Sequence, residues 1–414
     1  MTDRTTSGIR LPFAELVAIT AAMMALNALA IDMMLPALGT IGNELGAAHD
    51  NDRQLIIVVY VLGNGLAQLL FGPIVDRFGR KRVILWALGG YVLGSVLSVV
   101  ASSFALLLAA RAFQGVTTAA TRVAIIASVR DQCSGRRMAE VMSLAITIFM
   151  AAPILAPGFG QLILFAAPWR GIFVALLLYG LLMAVWTAWR LPETLAPERR
   201  KKLQAGRIIS SYMVFIGNRV SIGYTLASAL CFGALFGYIS TSEQVFLETF
   251  DIGQNFAIAF ACIAGSLGAA TLINARLVSR FGMRRLTHTA LIVFIIANLL
   301  HLAIASSTGE TFVLFMAFMM ISFFALGLIG PNATALAMEP QGDNAGAAAA
   351  ANGFAGTTVA GFMGGVIGQF YDGTTMPIIL GFVILGISSV SIVLWTEKGR
   401  LFGSSDQPED ELLP

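Results

Sequence analysis

GPIVDRFGRKR, residues 72–82, is the stretch whose reading decides the fold. It packs five charges (Asp76, Arg77, Arg80, Lys81 and Arg82) between two runs that hold almost none. LIIVVYVLGNGLAQLLF (55–71) precedes it and VILWALGGYVLGSVLSVVASSFALLLAA (83–110) follows. A helix of about 20 apolar residues spans the hydrocarbon core of a bilayer, and both runs reach or approach that length. Lysine and arginine are retained on the cytoplasmic side, so a short basic loop between two such runs reads as a cytoplasmic turn between transmembrane helices.

The whole chain has the same character. Of its 414 residues 57% are hydrophobic and only 12% charged, with mean hydropathy +0.81. A soluble domain carries roughly a quarter charged residues. The net charge of +3 is sorted by loop rather than gathered in a patch, which argues against nucleic-acid binding. The first apolar run is long, follows Arg4 and Arg10, and ends without a small-residue cleavage site, so it reads as a retained span. Cys133, Cys231 and Cys262 lie too far apart for a disulfide framework or a zinc site. Nothing resembles a nucleotide-binding loop, a catalytic triad or a metal cluster. The expectation is a protein that is not an enzyme, holds no cofactor and draws its energy from an ion gradient.

Apolar runs near 13–36, 53–72, 83–102, 104–128, 137–165, 169–191, 220–247, 254–276, 286–306, 310–338, 346–371 and 375–396 predict twelve spans. With the N-terminus inside, 22 of the 26 lysines and arginines fall in cytoplasmic segments. Arg53 and Arg170 fall on the other face, and Arg111 and Arg122 lie within helices. Both termini are therefore expected to be cytoplasmic. LPETLAPERRKKLQAGR (191–207), the longest polar stretch, sits at mid-chain and reads as a linker followed by an amphipathic interfacial piece. The flanking halves echo each other: Asp76-Arg-Phe-Gly-Arg-Lys-Arg aligns with Ser279-Arg-Phe-Gly-Met-Arg-Arg, 203 residues later. A weak repeat of half the chain, six spans in each copy, is the mark of a duplicated transporter. The expected fold is all-α, with twelve transmembrane helices in two pseudo-symmetric six-helix bundles: 1–191, a linker 192–219, and 220–414.

Charges inside apolar spans are expensive, so each asks for a reason. Asp32 lies in NALAIDMMLPAL (27–38). It is either a cap where Pro36 ends the first helix, or a titratable group poised between desolvation and a positive neighbour. Arg111, early in LLLAARAFQGVTTAATR (106–122), lies at a similar depth and is positioned to face it; alternatively its guanidinium satisfies backbone carbonyls. Arg122 returns eleven residues later to nearly the azimuth of Arg111, about 16 Å nearer the cytoplasm. It reads as a cation snorkelling to the interface beside Asp131, or as a fixed positive charge in a central cavity that favours anionic or polar substrates. Asn27, Tyr60, Asn64, Gln68 and Gln114 are either interhelical glue or cavity lining. Glu243, with Tyr238 and Gln244, ends the seventh span and reads as solvated or as part of an outer gate. Asn298 and His301 receive no role.

The loop Gly72, Asp76, Arg77, Gly79, Arg80 resembles the signature between the second and third helices of the major facilitator superfamily. IDMMLPAL resembles the end of the first helix in bicyclomycin- and chloramphenicol-resistance (Bcr/CflA) exporters, and RAFQGVTTAA the fourth-helix element associated with proton transfer. Pro153, Pro157, Gly158 and Gly160 resemble the antiporter element of the fifth helix, with Ala156 where a glycine is usual. GPNATALAMEP (330–340) resembles the tenth helix of the same group. The resemblance covers the chain and implies a monomeric drug:proton antiporter of the bacterial inner membrane that moves small amphipathic compounds. It implies proton transfer at the fourth-helix element, with Asp32 and Arg111 the coupling pair. From the residues themselves Asn27, Tyr60, Gln68, Gln114 and Arg122 are the candidates for a substrate cavity, the resemblance giving Arg122 no role. The positive N-terminal end of the eleventh helix lies on the same side as Asp76, so an interaction there would gate that face. A nutrient or organic-acid importer on the same scaffold is the alternative, and a membrane receptor or scaffold the reading from another class. Such a receptor would have no use for charges buried this way.

Overall fold

The computed structural model describes residues 11–200 and 205–402; Arg4, Arg10, Lys201, Lys202 and both termini lie outside them. No strand occurs among the described residues. In hydrocarbon every backbone N–H and C=O must be satisfied within the chain, and a helix does this segment by segment. The helices are α1 (Phe13–Asp32), α2 (Leu38–Leu45), α3 (Leu55–Phe78), α4 (Arg80–Val99), α5 (Phe104–Gln132), α6 (Gly135–Phe149), α7 (Ala151–Ala166) and α8 (Arg170–Arg190). After α9 (Ala205–Gly217) come α10 (Arg219–Gln244), α11 (Phe256–Phe281), α12 (Met283–Thr308), α13 (Phe312–Met338), α14 (Ala345–Gln369) and α15 (Met376–Thr396).

Eleven segments among the described residues are long and apolar enough to cross a bilayer. α14 is equally long, but its alanines and glycines make it less apolar; it packs between α3 and α10. Two expectations need correction. Pro36 does not end the first span: it enters a short 3₁₀ turn, Leu35–Ala37, and the chain resumes as α2, giving one segment Phe13–Leu45. Asp32 is therefore no terminal cap; it lies well inside a 33-residue span. The fifth span breaks at Met150 rather than at the prolines themselves. Pro153 has no N–H, and its ring clashes with the carbonyl four residues back, that of Phe149, where α6 stops.

The repeat is visible in the backbone. Gly79 and Gly282, at equivalent places, both adopt positive φ (101° and 79°) where α3 turns into α4 and α11 into α12. Ser103 and Thr311 each cap the next helix but one, accepting from Leu106 N and Leu314 N at 3.3 Å.

Within the first half (α1–α8), helices approach until backbone meets backbone. A Cβ on Gly115 would stand 2.0 Å from the Tyr60 carbonyl oxygen, and one on Gly160 1.9 Å from that of Met33. Between the halves, α14 lays Gly353, Gly361, Gly365 and Gly368 against Gln68, Val61, Val58 and Gln54 of α3 and the turn before it. This seam is about 21 Å long.

The two membrane faces differ. One carries Arg80, Arg130, Arg190 and Arg284 and is here the basic face; the other holds Arg53 and Arg170. Among the described residues, every hydrogen bond or ion pair joining first-half to second-half helices lies at the opposite face, except Gln68 to Thr357 (3.0 Å) midway. Arg53, 8% exposed, pairs with Glu248 and with Glu243 at 3.4 Å. Glu243 also accepts from the Gly39 N–H at 3.2 Å. Gln54 donates to Gln244, Gln244 donates to Asn51 at 2.8 Å, and Asn51 donates to the Tyr371 carbonyl at 2.8 Å. Gln161 donates to the Gln254 carbonyl at 3.0 Å. Glu243 is thus not solvated: at 5% exposure it is the buried centre of a seal. At the basic face Gly72 and Gly346 have open space around them. There α9 bridges the sides: Tyr212 donates to the Leu69 carbonyl (2.7 Å), and Asn344 donates to that of Ser211 (2.9 Å).

Two outcomes check this architecture. Gly115→Ala should destabilise the protein by about 1–3 kcal/mol, lowering its melting temperature in detergent by several degrees. Gly89→Ala, where nothing stands within 4 Å, should change little; equal melting of G115A and parent contradicts the close seam. Arg53→Ala strands Glu243, and breaking a buried pair costs about 3–5 kcal/mol. In a background without native cysteines, an impermeant maleimide should then label Ser240→Cys much faster. An unchanged rate means this network does not hold the face shut.

Candidate functional site

Charges and amides converge where α1, α3 and α5 cross. Arg111 is fully buried, and α5 directs it to backbone carbonyls of α1 and α3. It donates to the carbonyls of Ala30 (2.8 Å) and Ile56 (3.4 Å) and to Gln114 Oε1, and its guanidinium lies 4.3 Å from the Tyr60 ring centroid. No ion pair joins it to Asp32 among the described residues. The facing pair drawn from the sequence is therefore not formed, and Arg111 follows the carbonyl-binding alternative.

Asp32 is 4% exposed, and its Oδ1 has no hydrogen-bond partner. The loop that follows it packs against α7 and α10, so the carboxyl stands beside the seam between halves. The Tyr238 hydroxyl is also buried without a partner.

The remaining polar residues form a chain. Tyr60 OH lies 2.9 Å from Asn27 Oδ1 and 3.0 Å from Thr118 Oγ1. Gln114 donates to Ser95 Oγ at 2.8 Å, and Gln68 donates to Asn64 Oδ1 at 3.1 Å and to Thr357 of α14. Tyr60 and Gln114 are fully buried, which makes them interhelical links rather than cavity lining in this conformation. Asn27 is half-buried; Gln68 is buried against the other half. Arg122 alone among the expected lining residues is exposed. It is not paired with Asp131, which accepts instead from Arg80 Nε (2.9 Å) and Thr194 (3.0 Å).

The loop 72–82 is a clamp as well as a topological marker. Arg80 pairs with Asp76 (3.0 Å) and Asp131, donates to the Val75 carbonyl (2.9 Å), and its N–H donates to Glu193 (2.8 Å). Arg77 lies over Phe78, and Gly79 has the Glu193 carboxylate where a Cβ would be. The described partner of Asp76 is thus Arg80 of its own loop. In the second half Met283 stands at the position equivalent to Arg80, and the next residue, Arg284, meets Glu397 (3.2 Å) and Glu339 (3.7 Å) instead. Asn344 precedes α14 without capping it, because its amide reaches Ser211; the Asp343 side chain lies outside the described atoms.

In the fifth span Ala156 is buried and Gly160 meets α1, as above. Gly158 has only Ala257 of α11 nearby, at 4.0 Å, so Pro157-Gly158 faces the other half. Sequence reading missed the roles of Arg53 and Glu193. For Arg53 a signal existed: it is one of only two arginines assigned against the positive-inside trend.

A family model described as Major Facilitator Superfamily matches residues 20–365. An uncharacterized MFS-type transporter of Bacillus subtilis is 31% identical over 352 residues, covering 82% of this chain and 84% of its own. The bicyclomycin resistance protein homolog of Haemophilus influenzae is 27% identical, covering 84% and 87%. A chloramphenicol resistance protein of Pseudomonas aeruginosa is 29% identical, covering 94% and 91%. Among solved structures, the human organic anion transporter MFSD10 superposes with TM-score 0.69 at 17% identity, covering 94% and 99%. A bacterial homolog of the human lysosomal transporter Spinster gives TM-score 0.66 at 15% identity, covering 95% and 96%. Family match and twelve-helix architecture agree: the chain belongs to the major facilitator superfamily and is a multi-pass membrane transporter of small molecules, not an enzyme.

Proposed function

We propose that this transporter exports small amphipathic compounds in exchange for protons across a bacterial inner membrane, with its basic face and both termini in the cytoplasm. The positive-inside rule supports that orientation. The drug-resistance names of the relatives support export. A monomer is sufficient, because the substrate path runs between the two halves of one chain. The halves correspond to 1–191 and 220–414, joined by the linker 192–219, and they rock about the α3–α14 and α7–α11 seams. In this orientation the conformation described is sealed outward and open inward. The outward-open state requires the Arg53–Glu243 network to part and the cytoplasmic ends to close. Asp76 then exchanges its loop contacts for the positive end of α14.

The observation that carries the coupling is Asp32: a nearly inaccessible carboxyl, one oxygen unpartnered, beside the inter-half seam. An isolated buried charge costs several kcal/mol. Proton binding and release at Asp32 are therefore tied to whether the site is sealed or wetted. Arg111 supplies no counter-ion but holds the α1 and α3 backbone that positions it, making Arg111 a positioning residue. One proton moved through 100 mV supplies about 2.3 kcal/mol, about a fifty-fold concentration ratio. Export needs no cofactor beyond this gradient.

Expression in a pump-deficient host should raise tolerance to part of an antibiotic and dye panel; growth on a new carbon source instead indicates import. In inverted vesicles with an imposed pH gradient, Asp32→Asn should abolish uphill transport while substrate counterflow persists. Undiminished uphill transport by D32N overturns the assignment of Asp32.

A further inference from the structure

Four charges sit deep within the spans, and three have visible employment or enclosure. Arg111 is bound to carbonyls, Glu243 is paired with Arg53, and Asp32 is sealed beside the seam. Arg122 differs. It is exposed, and among the described residues it has no hydrogen bond, ion pair or ring contact. The acid nearest in sequence, Asp131, is already held by Arg80 and Thr194.

Exposure on a membrane helix can mean lipid or cavity. For Arg122 it means cavity. The lipid-facing side of α5 is marked by its exposed apolar residues Leu106, Phe113 and Val116, which lie about 120–200° around the helix from Arg122. A residue on the outer wall would have lipid on one side and little protein around it. Arg122 also follows Arg111 by eleven residues, returning within about 20° of its azimuth and about 16 Å nearer the basic face. Arg111 points into the protein, so Arg122 does too. It is an accessible cation on the interior side of α5, away from lipid.

We propose that Arg122 is the head-group site of the cavity and that it selects amphipathic anions: an apolar body carrying a carboxylate, a sulfonate or a phosphate. A planar guanidinium matches these groups with two parallel hydrogen bonds, and in a partly desolvated site such charge-assisted bonds are strong. The same field repels lipophilic cations entering the vestibule. This substrate class rests on the transporter reading above but not on the direction of transport. An anionic lipid head presents the same chemistry, so the membrane composition must be controlled.

The test uses three probes with one aromatic body: naphthaleneacetate, naphthaleneacetamide and naphthylethylamine. Binding to the purified full chain is measured in neutral detergent and in phosphatidylcholine nanodiscs, then in nanodiscs containing phosphatidylglycerol. The parent should bind the carboxylate at least ten-fold more tightly than the amine. Arg122→Ser should erase that preference while leaving amide affinity within two-fold, and Arg122→Lys should keep part of it. Weakening by phosphatidylglycerol of carboxylate binding to the parent, but not to R122S, assigns the site to lipid phosphate as well as to free anions; no effect assigns it to free anions alone. The proposal is overturned if the parent shows no carboxylate preference, if R122S retains it, or if all three probes change together, as a mere conformational shift would make them. Amide counterflow in vesicles reads the transporter function separately. Intact counterflow without an Arg122-dependent preference sinks this inference alone, whereas a preference without any counterflow sinks the transport reading alone.

Discussion

Arg111 closes the first bundle, and much of the site depends on how it is satisfied. A guanidinium inside the membrane must find acceptors, and it finds them in the Ala30 and Ile56 carbonyls of two other spans. Those two bonds, with Gln114 Oε1 and the Tyr60 ring, tie α1, α3 and α5 at one level. Gly115, one turn further along α5, lets the Tyr60 carbonyl approach directly. Asp32, two residues beyond Ala30, is consequently held at a fixed depth without a counter-ion. The arginine organises the backbone, and the carboxyl is left chemically available.

The two faces of the molecule use different physics. The seal at the face opposite the basic one is polar and reciprocal, with Arg53, Glu243, Gln54, Gln244 and Asn51 linked across the halves. Such a network breaks cooperatively, because removing one partner strands another in a poorly hydrated place. The seam beneath it sets glycines of α14 against Val58, Val61 and Gln68 of α3, with one directed bond, Gln68 to Thr357, across it. At the basic face, Arg80 and Arg284 each gather carboxylates from their own half and brace each bundle separately. Charge therefore joins the halves on one side and stiffens them individually on the other, an arrangement suited to rigid-body rocking.

Much was legible beforehand, because lipid imposes strong rules on sequence. The spans, the loop 72–82 and the half-chain repeat follow from hydropathy and arginine placement, quantities that each stretch carries locally. Pro36 misled, since a proline in a polar medium commonly ends a helix, whereas here a 3₁₀ turn absorbs it and α2 continues. The break in the fifth span was expected but lies at Met150, one turn before the first of its prolines, because the clash falls on the preceding carbonyl.

Pairing was not legible. Asp32 and Arg111 share a depth, and the sequence puts them within reach, but direction about the helix axis sends the arginine to carbonyls. Arg53 and Glu243 lie 190 residues apart and meet only because two bundles close on one side. Asp131 looked available to Arg122 and is taken by Arg80. By itself the sequence determined that the chain is a twelve-span, duplicated membrane protein with a few costly internal charges, because burial in lipid is registered residue by residue. Only the tertiary structure decided which of those charges is paired, sealed or left exposed, because partners are chosen by helix rotation and by the contact between halves.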